Sequence, residues 1–97
     1  MDDEVVAREW ADDHLGTPQY GLPFTQRQLE VLYAVVIEHG NAQAAHRLGI
    51  SVKTVKSHLT NLYARGGYHN QVQAVWELRH VIEHMQEMER RASGRLR

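Results

Sequence analysis

Cysteine is absent from the 97 residues, which excludes a disulfide scaffold and thiolate chemistry together. No apolar run approaches the ~18 residues that a membrane-spanning helix requires. The chain opens on Met1-Asp2-Asp3-Glu4, acidic where a secretion signal is basic. A soluble cytoplasmic protein with no membrane partner is therefore expected. Proline is scarce: both copies fall in Gly16-Thr17-Pro18-Gln19-Tyr20-Gly21-Leu22-Pro23, which reads as a linker. No nucleophile–base pair, phosphate-binding glycine loop or paired-carboxylate site is visible, so neither catalysis nor a cofactor is expected. His80 and His84, with Glu77 one turn earlier, are the one hint of a metal face. They lack a third firm ligand, and no metal is expected.

An excess of positive charge is missing as well. The net charge is −1, which taken whole argues against a nucleic-acid partner. Divided along the chain, the balance changes. Residues 1–23 hold one arginine against six acidic residues, residues 24–75 five cations against two, and residues 76–97 five arginines against four glutamates. The positive field is thus concentrated in the middle of the chain. At 97 residues, with 42% hydrophobic and 24% charged, the chain has the composition of one small folded domain.

What is present centres on residues 50–63. At helical spacing Val55, Leu59 and Leu62 form an apolar stripe, with Val52 at the lead turn. Lys53, Lys56, Ser57, Thr60 and Asn61 occupy the opposite face, and no acidic residue occurs from Ser51 to Arg65. Ser51 is placed to cap the first turn. Upstream, Ala44 to Leu48 reads as a shorter helix ending at Gly49, where a left-handed residue reverses the chain. Short helix, glycine turn and capped cationic helix make a helix-turn-helix, whose second helix is the one offered to a DNA major groove.

Residues 2–15 suit a short helix with Val6 and Trp10 packed together; a frayed tail is the alternative, and a third reading has its carboxylates covering the cationic face when DNA is absent. Thr25 caps the next helix, with Gln28 in capping-box position and Phe24 as a hydrophobic staple. Gly40 is expected to end that helix and Asn41 to cap the following one. Gly66-Gly67 stops the cationic helix, and Asn70 caps a last helix running to about Arg90. Two apolar sets lie on that helix. Val72, Val75, Trp76 and Ile82 are expected to cover the core, and Ala74, Leu78, Val81, Met85 and Met88, stepping 4-3-4-3, to form a coiled-coil-like dimer seam; the alternative is that both sets pack on the first helix of the same domain. The organisation is then an acidic extension and linker over 1–23, a helix-turn-helix core over 24–75, a dimerisation helix over 70–90 and a mobile tail over 91–97.

With these residues in place the chain resembles the LuxR/FixJ (GerE-type) DNA-binding domain. The family opening Leu-Thr-x-Arg-Glu-x-Glu-Val-Leu is matched by Phe24-Thr25-Gln26-Arg27-Gln28-Leu29-Glu30-Val31-Leu32. The middle Asn-Lys-Glu-Ile-Ala-x-x-Leu-x-Ile-Ser corresponds to Asn41 through Ser51. The hallmark Thr-Val-Lys-x-His-x-x-Asn-Ile stands as Thr54-Val55-Lys56-Ser57-His58-Leu59-Thr60-Asn61-Leu62. The resemblance implies an all-α, four-helix domain, here with a short N-terminal helical extension and a long C-terminal helix. It also implies that the third helix lies in the major groove and that the fourth pairs two domains. Lys56, Ser57, Thr60 and Asn61 match the family's DNA-facing positions; Thr54 and His58 match positions near the DNA backbone. The chain departs from the pattern at Ala42 (usually Lys, a phosphate contact), Gln28 (usually Glu), Gly66 (usually Leu, thinning the core) and Gln71 (usually Arg). With 23 residues before the motif, no receiver or ligand-sensing domain is expected, leaving control to abundance, the flanking extensions or another protein.

Binding to double-stranded DNA would then place Arg47, Lys53, Lys56 and Arg65 on phosphates and hold a further phosphate at Ser51 and the first-turn amides. Asn61, Thr60, Ser57 and Lys56 would read bases. The weak overall field argues for two subunits on one site. The rival expectation is a protein-interaction module, in which the helix-turn-helix survives as scaffold and the acidic segment or last helix grips another transcription protein.

Overall fold

The computed structural model describes residues 22–95. Five helices make up this part of the chain: α1 (Gln26–Glu38), α2 (Asn41–Leu48), α3 (Val52–Gly66), α4 (Gln71–Glu77) and α5 (Arg79–Arg95). The all-α expectation holds. The helix read over 2–15 and its Val6–Trp10 pairing lie outside the described residues.

Local chemistry starts α1 where the sequence places it. The Thr25 hydroxyl accepts from the Gln28 amide at 3.2 Å, and the Thr25 amide donates to Gln28 Oε1 at 3.1 Å. This reciprocal capping box satisfies two orphan donors; a cap of this kind contributes ~1 kcal/mol. Glutamine does this as glutamate would, and Gln28 does it while buried, where an uncharged side chain avoids the cost of burying an ion. Phe24, beside the cap, is buried with Leu29 in the core.

The end of α1 corrects one expectation. His39, not Gly40, takes the left-handed conformation (φ 62°, ψ 36°). Asn41 is the first residue of α2 rather than its cap, and Gly40 precedes it without a side-chain hydrogen bond. Gly49 (φ 68°) ends α2 as expected, and the Ile50 amide closes the turn on the Ala45 carbonyl at 3.0 Å.

α1 packs on α2 and α3, α2 packs on α3, and α4 packs on both α3 and α5. Leu29, Val31, Leu32 and Val35 of α1 meet Ala44 and Ala45 of α2 and Val55, Leu59 and Leu62 of α3 in one buried cluster. At the foot of α3, a Cβ on Gly66 would collide with the Tyr68 ring, whose centroid is 6.0 Å from that of Phe24. Gly66 therefore does not thin the core; it makes room for Tyr68 to fill it.

The last helix differs most from its sequence reading. It is two helices, broken at Leu78 (φ −104°, ψ 15°), and the second runs to Arg95 rather than stopping near Arg90. Neither proline nor glycine causes the break. The Arg79 guanidinium lies 4.0 Å over the Trp76 ring and donates to the Trp76 carbonyl at 2.6 Å. A side chain engaging a ladder carbonyl in this way is an ordinary origin of a kink. Part of each apolar set also exchanges roles, while Val75 packs against the core as read. Ala74, Leu78 and Val81, expected in a dimer seam, are at most 1% exposed in the chain's own core, and Met85 packs partly against it. Val72 and Trp76, expected inside, are 78% and 63% exposed. Ile82 is buried as read and Met88 remains exposed.

Candidate nucleic-acid interface

Ser51 caps α3: its hydroxyl accepts from the Thr54 amide at 3.0 Å and lies 2.9 Å from the Thr54 hydroxyl. α2, the Gly49-Ile50-Ser51 turn and α3 thus form a helix-turn-helix, with the Gly49 stop and the Ser51 cap where they were expected. Val55, Leu59 and Leu62 hold one side of α3 against the core. Helical geometry then forces Lys53, Lys56, Ser57, Thr60 and Asn61 to the outer side, where these five line one shallow open concavity. The chain's two lysines both stand there. The Thr60 hydroxyl donates to the Lys56 carbonyl at 2.9 Å, leaving its lone pairs to accept from a base amino group. No acidic residue occurs anywhere between Glu38 and Glu77, and the positive end of the α3 dipole adds to the lysine field.

The remaining sequence-predicted contacts are placed elsewhere. Thr54 and His58 are 1% and 2% exposed, so both side chains face the core rather than the outer side of α3. They flank the apolar stripe one helical turn apart and widen it inward. Arg47 is held away from the lysine concavity: it donates to Glu38 at 2.9 Å, pairs with Glu89, and sits 5.5 Å over the Tyr33 ring. Arg65 is exposed near the C-terminal end of α3, with Nη1 3.5 Å from the Pro23 carbonyl. One outward residue escaped the sequence reading: Val52, assigned to the stripe, is 37% exposed beside Lys53. Its position in the first turn of α3, ahead of the first inward residue, was the available signal. An apolar group there suits a thymine methyl.

A second exposed feature lies on α4. Val72, Val75 and Trp76, with Val35 and Val36 of α1 and His39 just past its end, border an apolar groove. Among the described residues no helix is long and apolar enough to cross a membrane.

A helix, a left-handed glycine turn and a second, capped helix with a carboxylate-free cationic outer face define a helix-turn-helix DNA-binding domain. The chain belongs to a particular class of these, the bacterial regulatory proteins of the luxR family, whose profile matches residues 22–78. It is 38% identical over 84 residues to the HTH-type transcriptional activator RamA of Corynebacterium glutamicum, covering 81% of this chain and 30% of that protein. It is 32% identical over 63 residues to the HTH-type transcriptional regulator MalT of Yersinia pestis, covering 65% of this chain and 7% of MalT. The chain therefore spans less than a third of the length of these curated relatives. No solved structure matches it.

Proposed function

We propose that the chain binds double-stranded DNA sequence-specifically as a transcriptional regulator, laying the outer face of α3 in the major groove. The observation that carries this reading is the grouping of Lys53, Lys56, Ser57, Thr60 and Asn61 around one open concavity. Lys53 and Lys56 neutralise phosphates and set register; Asn61, Thr60 and Ser57 read base edges, and Val52 meets an apolar base edge. Ser51 is the cap that fixes the start of α3, and with the first-turn amides it offers a phosphate contact.

With Arg47 held by carboxylates, the cations facing phosphate are Lys53, Lys56 and Arg65. Three cations give a log–log salt slope of about −2 to −3 per subunit. So small a field favours two subunits on one site. In this reading the second copy meets the Val72–Trp76 face of α4, because Ala74, Leu78 and Val81 are occupied by the core. Selection of bound duplexes from a random pool tests the proposal. Enrichment of a palindrome with half-sites roughly one helical turn apart supports it; recovery of no preferred sequence counts against sequence-specific binding.

A further inference from the structure

α5 lies beyond the family-matched span, which ends at residue 78, yet it is built into the domain. Val81 and Ile82 are buried in the common core, and one turn after Met85 the helix brings Glu89 back over α1 and α2. There Arg47 is engaged from three directions. Glu38 of α1 accepts from Nη1 at 2.9 Å, Glu89 of α5 accepts from Nη2, and the guanidinium lies 5.5 Å from the Tyr33 ring centroid. The Tyr33 hydroxyl donates to the same Glu89 carboxylate. Four side chains from three helices thus share partners. An isolated surface ion pair contributes little; in a shared network, loss of one member disturbs the others.

The position of this network matters. Arg47 stands in the last turn of α2, two residues before the left-handed Gly49 and four before Ser51, the cap of α3. Whatever fixes the end of α2 fixes the turn that delivers the recognition helix. Glu89 is held ionised below the usual carboxylate range, chiefly by the Tyr33 hydrogen bond and then by Arg47. The network is therefore intact at neutral pH.

We infer that Arg47 is a positioning residue for α3, clamped between Glu38 and Glu89, and that α5 is the brace that sets the α2–α3 turn. This rests on the DNA-binding reading for its consequence but not for its geometry, and two readouts on the full chain separate them. The first is amide hydrogen exchange in the DNA-free protein. Arg47→Gln, Glu89→Gln and Tyr33→Phe should each speed exchange in α2 and the following turn relative to the amides of α1. Unchanged exchange, or a uniform rise across all helices, overturns the brace whatever the protein binds.

The second readout is affinity for a short nonspecific duplex as salt is varied. Arg47→Gln and Glu89→Gln should each weaken binding by about 3- to 10-fold at fixed salt. The salt slope should stay at the parent value, and the double variant should lose no more than the worse single. A slope lowered by about one in Arg47→Gln identifies a direct phosphate contact and overturns the inference. Tighter binding by Glu89→Gln, as expected if its charge merely repels DNA, or fully additive losses in the double variant, also overturn it. Should the parent chain fail to bind any duplex, the functional reading falls, while the exchange experiment still decides the brace.

Discussion

Lys56 and Asn61 border the same concavity but are expected to fail differently. Lys56→Ala should weaken binding to every duplex and lower the salt slope by about one. Asn61→Ala should cost ~1–3 kcal/mol at one base position and little elsewhere. Gel shifts on a panel of single-base variants separate the two, and equal, sequence-blind losses would contradict the assigned roles. Two substitutions away from the interface test the backbone account. Gly66→Ala drives a Cβ into the Tyr68 ring and should destabilise by roughly 1–3 kcal/mol. His39→Gly relieves a left-handed non-glycine residue and should stabilise by ~1 kcal/mol. Urea unfolding midpoints check both. The inward turn of Thr54 and His58 was hard to read because polarity alone marks both as outward. Only their one-turn spacing beside Val55 and Leu59 hinted that the buried arc of α3 is wider than its apolar stripe.

At the scale of elements, the sequence was most legible where the determinants are local. The Thr25, Ser51 and Asn70 caps and the Gly49 and Gly67 stops all form as read, because each depends on atoms within a few residues. Long-range choices were less legible. Val72–Trp76 and Ala74–Leu78–Val81 are both spaced to cover a core, and helical periodicity cannot say which side meets α1 and α3. Tertiary packing took the second set and left the first outside. The break at Leu78 coincides with Arg79 reaching the Trp76 carbonyl, a contact no spacing rule announces. The exposed α4 face makes its own prediction. If a second copy covers it, Val72→Asp with Trp76→Ala should shift sedimentation from dimer to monomer while leaving the melting temperature within a few degrees. An unchanged sedimentation coefficient would remove α4 from the assembly.

For the whole molecule, the network joining α1, α2 and α5 couples stability to pH at both extremes. Tyr33 is pushed up to about 12, first by burial and then by Glu89. The folded state therefore keeps a proton that the unfolded chain releases near 10. Stability from this group is fully present below pH ~10 and is lost as pH rises toward about 12. Glu89, held low, acts oppositely: its contribution is present above the usual carboxylate range and disappears as pH falls through its depressed value. Thermal melts across pH should show both limbs. Tyr33→Phe should flatten part of the alkaline one, the rest belonging to Tyr63 and Tyr68, whose hydroxyls are also raised by burial.

The cationic face of α3 is the feature on which this account depends, and salt-dependent binding probes it most directly. Fluorescence anisotropy of a labelled duplex, titrated with the parent chain and with Lys53→Glu/Lys56→Glu at several salt concentrations, is the measurement. The predicted result is a slope of about −2 to −3 per subunit for the parent, and loss of binding in the double variant at an unchanged melting temperature. A folded double variant that binds DNA as tightly as the parent would contradict it.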